Sequence, residues 1–166
     1  MRLLIIMDVF LVRHAKSLTD WSTYPTDSVR PLAKKGQERQ RKASKGMQQR
    51  GMAFDVAWVS PYQRAQETLT IIQDVFNANV PVEIVNELIP GGDEEKVLEL
   101  LQRQAKKTPL LRLLVVTHNP LVSNLVELID AELMIDMETS AVAHCSITEQ
   151  DYKLLNYYSR AQLLEK

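Results

Sequence analysis

Two histidines and two arginines occur where predicted strands give way to loops or helices. Arg13 and His14 end the first strand, Arg64 lies in the first turn of a helix, and His118 follows the most apolar strand. In open α/β sheets, ligands bind beyond the carboxyl ends of the strands. Guanidinium groups and helix N-termini favour an anion there, particularly a phosphoryl group. Because neutral imidazole can form a covalent intermediate near pH 7, His14 is a candidate nucleophile in an anion site.

The elements that must position these residues alternate between strand-like and helix-like patterns. Six apolar runs predict strands over residues 8–13, 56–59, 81–85, 113–116, 141–147 and 152–158. Four longer stretches predict helices over residues 32–50, 63–77, 94–107 and 120–129. We expect the tail from Ala161 to be frayed or to form a short helix. This alternation predicts an α/β fold of three layers, αβα, with a mostly parallel central sheet and helices on both faces.

Length and composition place the chain among ordinary globular proteins. It has 166 residues, 45% of them hydrophobic and 25% charged, which predicts a single domain over residues 1–166 with a sizeable core. These values exclude disordered, collagen-like and disulfide-scaffold proteins. A net charge of -1 gives no reason to expect a nucleic-acid or anionic-membrane partner.

We expect residues 1–6 to be an appendage to the first strand, and Met1 and Met7 are both possible starts of the chain.

Cysteine and histidine are too few for a structural zinc site. The only cysteine is Cys145, the three histidines are His14, His118 and His144, and neither CxxC nor HxxxH spacing occurs. A magnesium site built from carboxylates alone stays open at this stage. His144 and Cys145 lie in a predicted strand and are interpreted as structural. No run of about 18 apolar residues occurs, and together with the lone cysteine this predicts a cytoplasmic protein.

Five segments, taken in order, resemble signatures of the histidine phosphatase superfamily, which includes cofactor-dependent phosphoglycerate mutase. The chain is most similar to its short branch, the SixA-type phosphohistidine phosphatases. The resemblance extends from about residue 9 to about residue 147 and implies a phosphoglycerate mutase-like fold with no cap domain. Its segments are L-V-R-H-A (11–15), D-S-V-R-P-L (27–32), S-P-Y-Q-R-A-Q-E-T (60–68), E-L-I-P-G-G-D (87–93) and T-H-N-P-L-V (117–122).

The resemblance implies a role for each matching residue. His14 accepts the phosphoryl group, and Arg13, Arg64 and His118 hold its oxygens, with His118 serving best when protonated. Water then hydrolyses the phosphohistidine intermediate, and neither a metal nor another cofactor is required. The arrangement agrees with general phosphoryl-transfer chemistry, in which positioning and positive charge supply most of the catalysis.

Residues in and beside these segments are further candidates for the site. The resemblance implies that the loop with Arg30 lies at the mouth of the site, where Arg30 either binds substrate or pairs with Asp27. Ser17 and Lys16 follow the nucleophile and are candidate phosphate contacts. Glu87 and Asp93 are the nearest candidates for a general acid, and neither matches a firm motif.

The short connections after the second and third strands favour an open cleft, which a protein surface can enter. We therefore expect a monomeric phosphatase acting on phosphohistidine of a partner protein, such as a phosphorelay or phosphotransfer component. A phosphatase of a small phosphorylated metabolite, a non-catalytic phosphate-binding module and, more weakly, a mutase are the alternatives. The basic helix over residues 34–50 is interpreted as a solvated face, with docking of an acidic protein as the alternative.

Overall fold

The structure is a computed structural model that describes residues 5–20 and 22–165. Every predicted strand and helix is present, with bounds that differ by at most two residues. The strands are β1 (Met7–Arg13), β2 (Val56–Val59), β3 (Val82–Ile84), β4 (Arg112–Thr117), β5 (Val142–Ile147) and β6 (Tyr152–Tyr158). The helices are α1 (Lys34–Gln49), α2 (Gln63–Phe76), α3 (Glu94–Lys107), α4 (Leu121–Ile129) and α5 (Arg160–Leu164), with short 3-10 helices at Asp27–Val29 and Asn86–Leu88.

The strands form one six-stranded sheet in the order β3-β2-β4-β1-β5-β6. The first four pair in parallel, whereas β5 and β6 are antiparallel to their neighbours, so the predicted mostly parallel sheet is confirmed. Strands β2, β4 and β1 are adjacent, with Arg13 opposite Thr117 and Val59 opposite Val116. Their carboxyl ends therefore lie side by side, and the segments that follow them meet at one edge.

Helices cover both faces of the sheet, as predicted. Alternate residues of β1 pack on opposite sides, Val9 and Leu11 in one core and Phe10 and Val12 in the other. The first core also contains the apolar residues of α3 and α4, and the second contains those of α1, α2 and α5. Strands buried on both faces have nearly continuous hydrophobic runs, which explains the apolar sequences of β1 and β4.

The C-terminal tail forms helix α5 rather than a frayed end. Ser159 accepts a hydrogen bond from the Gln162 backbone N–H, and the Gln162 side chain accepts one from the Ser159 backbone N–H, which is a capping box. Leu163 is fully buried against the core on the α1 face. Capping and apolar burial together hold this five-residue helix in place.

Two predictions concern the ends and connections of the fold. Residues 1–4 lie outside the described part, and Met7 is fully buried in β1, so the appendage stays a prediction. Residues 77–81 join α2 to β3 and residues 85–93 join β3 to α3, so no cap domain is present within the described ranges. Within the same ranges, no helix is long and apolar enough to cross a membrane.

Candidate active site

His14 directly follows β1, and its ring is held in one tautomer. Its backbone N–H donates to the Thr117 carbonyl at 2.9 Å, which ties the residue to the end of β4. Nδ1 lies 2.6 Å from the Ala15 carbonyl oxygen. Because a carbonyl oxygen only accepts, Nδ1 carries the proton and the lone pair of neutral His14 lies on Nε2. The residue is 6% exposed, and burial, followed by the charges of Arg64, Arg13 and Arg30, lowers the pKa of His14 to about 3.

His118 follows β4 and lies beside His14, with ring centroids 4.9 Å apart. Its Nε2 shares a 2.8 Å hydrogen bond with Ser60 Oγ, and its Nδ1 is buried with no protein partner. Burial, then His14 and the nearby arginines, lowers the pKa of His118 to about 2. In this ligand-free structure His118 is therefore neutral, because two buried imidazoles among arginines are both more stable uncharged. The expectation that His118 serves best when protonated concerns the site with a phosphoryl group bound and stays a prediction.

Arg13 ends β1 and is oriented by the segment before β5. Its Nη1 donates to the Met137 carbonyl oxygen at 2.6 Å, while its buried Nε has no protein partner. Asn119 Nδ2 donates to the same carbonyl at 3.1 Å and to Asp136 at 2.7 Å. This network, which sequence reasoning did not identify, ties the residue after His118 to the segment that holds Arg13.

Arg64 lies in the first turn of α2, where its guanidinium is paired with Asp27. Its Nη1 and Nη2 donate to the two carboxylate oxygens at 3.2 and 3.0 Å, and Nη1 also donates to the Asp27 carbonyl at 2.9 Å. The Arg64 side chain is 4% exposed and lies over the Tyr62 ring, which itself contacts the His118 ring. Sequence reasoning placed Arg64 in the site but missed Asp27 as its partner, because the two are 37 positions apart.

Arg30 pairs with Asp27 in the ligand-free protein, which is one of the two roles expected from the sequence; the other was substrate binding. Its Nε donates to Asp27 Oδ1 at 2.9 Å, and its Nη1 donates to Ser17 Oγ at 2.6 Å and to the Leu18 carbonyl at 2.7 Å. Ser17 is therefore held by Arg30 at the edge of the site. Lys16 lies beside it with an exposed side chain.

Three buried nitrogens that lack a protein partner belong to predicted site residues. In residues 5–20 and 22–165, four buried side-chain N or O atoms have none, and three of them are Arg13 Nε, Arg64 Nε and His118 Nδ1. Buried polar groups are normally hydrogen-bonded, so such a group needs an explanation. Positive charge and unpaired nitrogens beside the nucleophile form a site that an oxyanion can complete.

Thr68 connects the two halves of the site, a role that sequence reasoning did not assign. Its Oγ1 accepts from the Ala15 backbone N–H at 3.0 Å and donates to the Arg64 carbonyl at 2.7 Å. The hydroxyl therefore links the residue after the nucleophile to the first turn of α2. The spacing of Thr68 within the S-P-x-x-R-A-x-x-T segment was the available signal.

The two general-acid candidates have different surroundings. Asp93 is the N-cap of α3, where its Oδ1 accepts from the backbone N–H groups of Glu95 and Lys96, so capping accounts for this carboxylate. Glu87 is exposed beside Leu88, whose carbonyl accepts from Thr117 Oγ1 at the end of β4. Glu87 thus lies near the edge of the site and stays a candidate.

The remaining histidine and the cysteine are structural, as interpreted. His144 Nε2 is bonded to Asp8 Oδ1 at 2.8 Å, and its ring stacks on Phe10 with centroids 4.5 Å apart. Cys145 is fully buried, and burial raises the pKa of its thiol to about 12. The described part of the chain contains no cluster of three or more His, Cys, Asp or Glu side chains arranged to hold a metal ion.

Comparison with known proteins places this site in a family. A sequence model of the histidine phosphatase superfamily (branch 1) matches residues 9–89. Phosphohistidine phosphatase SixA of Escherichia coli (strain K12) is 32% identical over 152 residues, which cover 91% of this chain and 92% of that protein.

Solved structures agree with the sequence matches. The structure of the protein histidine phosphatase SixA complexed with tungstate has a TM-score of 0.86 at 30% identity, covering 95% of this chain and 99% of that one. A phosphoglycerate mutase from Bacillus anthracis str. Sterne, at 15% identity and a TM-score of 0.79 over 95% of each chain, shows the same fold. By this identity and coverage, the chain belongs to the histidine phosphatase superfamily.

Proposed function

We propose that this protein is a phosphohistidine phosphatase that hydrolyses its substrate through a covalent intermediate on His14. The observation that carries the proposal is the state of His14, a buried neutral imidazole with Nδ1 bonded to a carbonyl and its lone pair on Nε2. This nucleophile lies among three arginines and beside His118. The similar SixA structure holds tungstate, an oxyanion, which supports a phosphoryl-binding role for the matching residues here.

In the first step, His14 Nε2 attacks the phosphorus of the substrate. The Nε2–P bond forms as the P–N bond to the substrate imidazole breaks. The bonding electron pair leaves with that imidazole, whose other ring nitrogen carries a proton, so that the leaving group departs as neutral imidazole. An imidazole leaves more readily than an alkoxide, so the step makes little demand on a general acid. The Ala15 carbonyl stabilises the positive charge that develops on the His14 ring, because it accepts from Nδ1 throughout.

Arg13, Arg64 and His118 hold the phosphoryl oxygens during this transfer. Ser60 Oγ accepts from the Tyr62 backbone N–H at 3.2 Å, so its own O–H is free to donate to His118 Nε2. Neutral His118 then carries its proton on Nδ1, and this N–H donates a hydrogen bond to a phosphoryl oxygen while the ring stays neutral. Preorganised donors of this kind supply most of the catalysis in phosphoryl transfer.

In the second step, water attacks the phosphorus and the Nε2–P bond breaks. The products are inorganic phosphate and neutral His14, and the proton from water leaves with phosphate or with solvent. Arginine side chains carry the positive charge that both steps need, so the proposed mechanism uses no metal. We expect full activity in EDTA, and a loss that a divalent ion restores would contradict this part of the proposal.

The open architecture supports a phosphohistidine carried by a partner protein. The short connections between α2, β3 and α3 leave no cap over the carboxyl ends of the strands in the described residues. The similar SixA protein of Escherichia coli is named a phosphohistidine phosphatase, and the identity covers nearly the whole chain. We infer that this protein acts as a monomer in the cytoplasm on a phosphorelay or phosphotransfer protein.

A substrate panel tests the proposal. Turnover of a phosphohistidine protein, phosphoramidate and ordinary phosphoesters is compared by kcat/KM for the wild type, His14→Ala and the control His144→Ala. We expect P–N substrates to be favoured, and loss of turnover only in His14→Ala. Rapid quenching of the wild type should trap an acid-labile, base-stable phosphoenzyme. Preference for a small phosphoester would support the metabolite alternative, and absence of turnover would support a binding module.

A further inference from the structure

Asp27 forms hydrogen bonds with both Arg64, in the first turn of α2, and Arg30, which follows the 3-10 helix at Asp27–Val29. Its Oδ1 accepts from Arg30 Nε at 2.9 Å and from Arg64 Nη1 at 3.2 Å, and its Oδ2 accepts from Arg64 Nη2 at 3.0 Å. Although partial burial opposes ionisation, hydrogen bonds from Arg64 and Arg30 lower the pKa of Asp27 below its ordinary value. The carboxylate is therefore charged at neutral pH and is a poor general acid or base.

The donors of Arg64 can be counted one by one. A guanidinium has five N–H groups, and Arg64 uses both of Nη1 and one of Nη2 on Asp27. The remaining two are the Nε–H and the second N–H of Nη2, which lie along the same edge of the planar group. Nε is buried with no protein partner. A pair of N–H groups on one edge is a bidentate binder for two oxygens of a phosphoryl group.

We propose that Asp27 is a positioning residue, which binds the end of the Arg64 guanidinium so that its Nε–Nη2 edge faces the phosphoryl oxygens. The inference rests on the proposed function, since it names how one arginine of that site is oriented. Asp27 also sets the charge of the site. With both histidines neutral, Asp27 offsets one of the three positive charges that Arg13, Arg30 and Arg64 bring to the site.

The rival role for Asp27 is that of an anionic plug, which occupies Arg64 until phosphate displaces it. The geometry disfavours the plug, because Asp27 holds Arg64 by its main-chain carbonyl as well as by its carboxylate, and also holds Arg30. The two roles predict opposite effects of neutralising Asp27. If Asp27 is a plug, its neutralisation should make oxyanions bind more tightly. If Asp27 is a positioning residue, its neutralisation should make them bind more weakly.

The test compares Asp27→Asn with the matched control Asp55→Asn. Asp55 forms the same kind of two-oxygen pair, with Arg112 at 2.7 and 3.1 Å, at the opposite end of the strands from the site. Tungstate affinity is measured by calorimetry, and kcat and KM are measured with phosphoramidate. For Asp27→Asn we expect tungstate binding to weaken roughly 5- to 50-fold and kcat to fall roughly 10- to 100-fold, more than KM rises. Asp55→Asn should change none of these values.

A double-mutant cycle with Arg64→Lys shows whether Asp27 acts through Arg64. If it does, adding Asp27→Asn to Arg64→Lys should lower kcat by less than roughly twofold, because the oriented edge is already gone. Independent, multiplying losses would overturn the proposal, as would tighter tungstate binding in Asp27→Asn or an unchanged kcat in a folded protein. Asp27→Glu is a second variant, which serves if Asp27→Asn folds poorly. Because it keeps a carboxylate, it should bind tungstate more tightly than Asp27→Asn but less tightly than the wild type. Tungstate affinity needs no turnover, so this inference is tested even if the proposed substrate is wrong.

Discussion

At the scale of single residues, burial more than neighbouring charge keeps the two site histidines neutral. Desolvation is the largest cause of the low pKa of both His14 and His118, and the arginines add to it. Because the pKa of His14 is lowered to about 3, the nucleophile keeps its Nε2 lone pair well below neutral pH. A similar arrangement in solvent would lose part of its nucleophile to protonation below about pH 6.5.

The same two pKa values predict how stability depends on pH. Histidine in the unfolded chain titrates near pH 6.5, whereas folded His14 and His118 titrate near 3 and 2. Below pH 6.5 the unfolded state binds protons that the folded state does not, so the free energy of unfolding falls as the pH falls. Between pH 6.5 and 5 the slope should reach up to about 1.4 kcal/mol per pH unit for each histidine. Urea unfolding of the wild type and of His14→Asn across this range measures it, and equal slopes would contradict the assignment.

Replacement of Arg64 by lysine separates charge from geometry. Lysine keeps the positive charge but cannot bind Asp27 with two nitrogens and two phosphoryl oxygens with the other edge. We expect kcat to fall roughly 10- to 1000-fold, with a smaller rise in KM, because the lost contacts are strongest in the transition state. The control is Arg41→Lys, since Arg41 forms an exposed pair with Asp74. Equal kinetics for the two variants would remove Arg64 from the site.

At the scale of elements, helix α1 packs directly on the segment that follows the nucleophile. Ala33 precedes the helix without a side-chain cap, and its backbone N–H donates to the Lys16 carbonyl at 2.9 Å. A Cβ on Gly36 would overlap that same carbonyl oxygen, so glycine is required for this close approach. The helix thereby fixes the backbone two residues beyond His14.

Gly36→Ala should therefore reduce both stability and activity. The added Cβ must push α1 away from Lys16, at a cost of about 1–3 kcal/mol in the free energy of unfolding. Gly46→Ala is the matched control, because its Cβ would overlap the Leu163 carbonyl of α5 instead. We expect both variants to unfold at lower urea concentration but only Gly36→Ala to lower kcat. Matching kinetics in the two variants would show that α1 does not position the nucleophile segment.

Most helices and strands could be predicted, because the spacing of apolar residues within each one indicates which of its faces are buried. Strand β4 is apolar at successive positions, and α3 begins at an aspartate cap, so local patterns were enough. The Asp27–Arg64 pair could not be predicted in this way, because it depends on how a loop lies on a helix 37 positions away. The neutral state of His118 also needed the fold, since its burial is created by neighbours from several elements.

At the scale of the whole molecule, exposed lysines lie beside a site over which the described residues form no cap domain. The first turn of α1 has two exposed lysines, Lys34 and Lys35, where a helix normally favours acidic residues. The helix begins beside Lys16, which is also exposed. Only Glu38 opposes the basic residues of α1. From this placement we predict that the near end of the helix docks an acidic protein, whereas the alternative is a purely solvated face.

Reversal of charge at this end should separate protein substrates from small ones. We expect Lys34→Glu combined with Lys35→Glu to lower kcat/KM for a phosphohistidine protein roughly 3- to 30-fold at low salt, because attraction to an acidic surface becomes repulsion. Phosphoramidate turnover should stay at the wild-type value, and the loss should shrink at high salt as the charges are screened. Lys42→Glu combined with Lys45→Glu is the matched control, two to three turns further along the same helix. Equal losses of kcat/KM in both double variants would mean that only the net charge of the protein matters. If neither variant lost kcat/KM, α1 would be a solvated face that docks no partner.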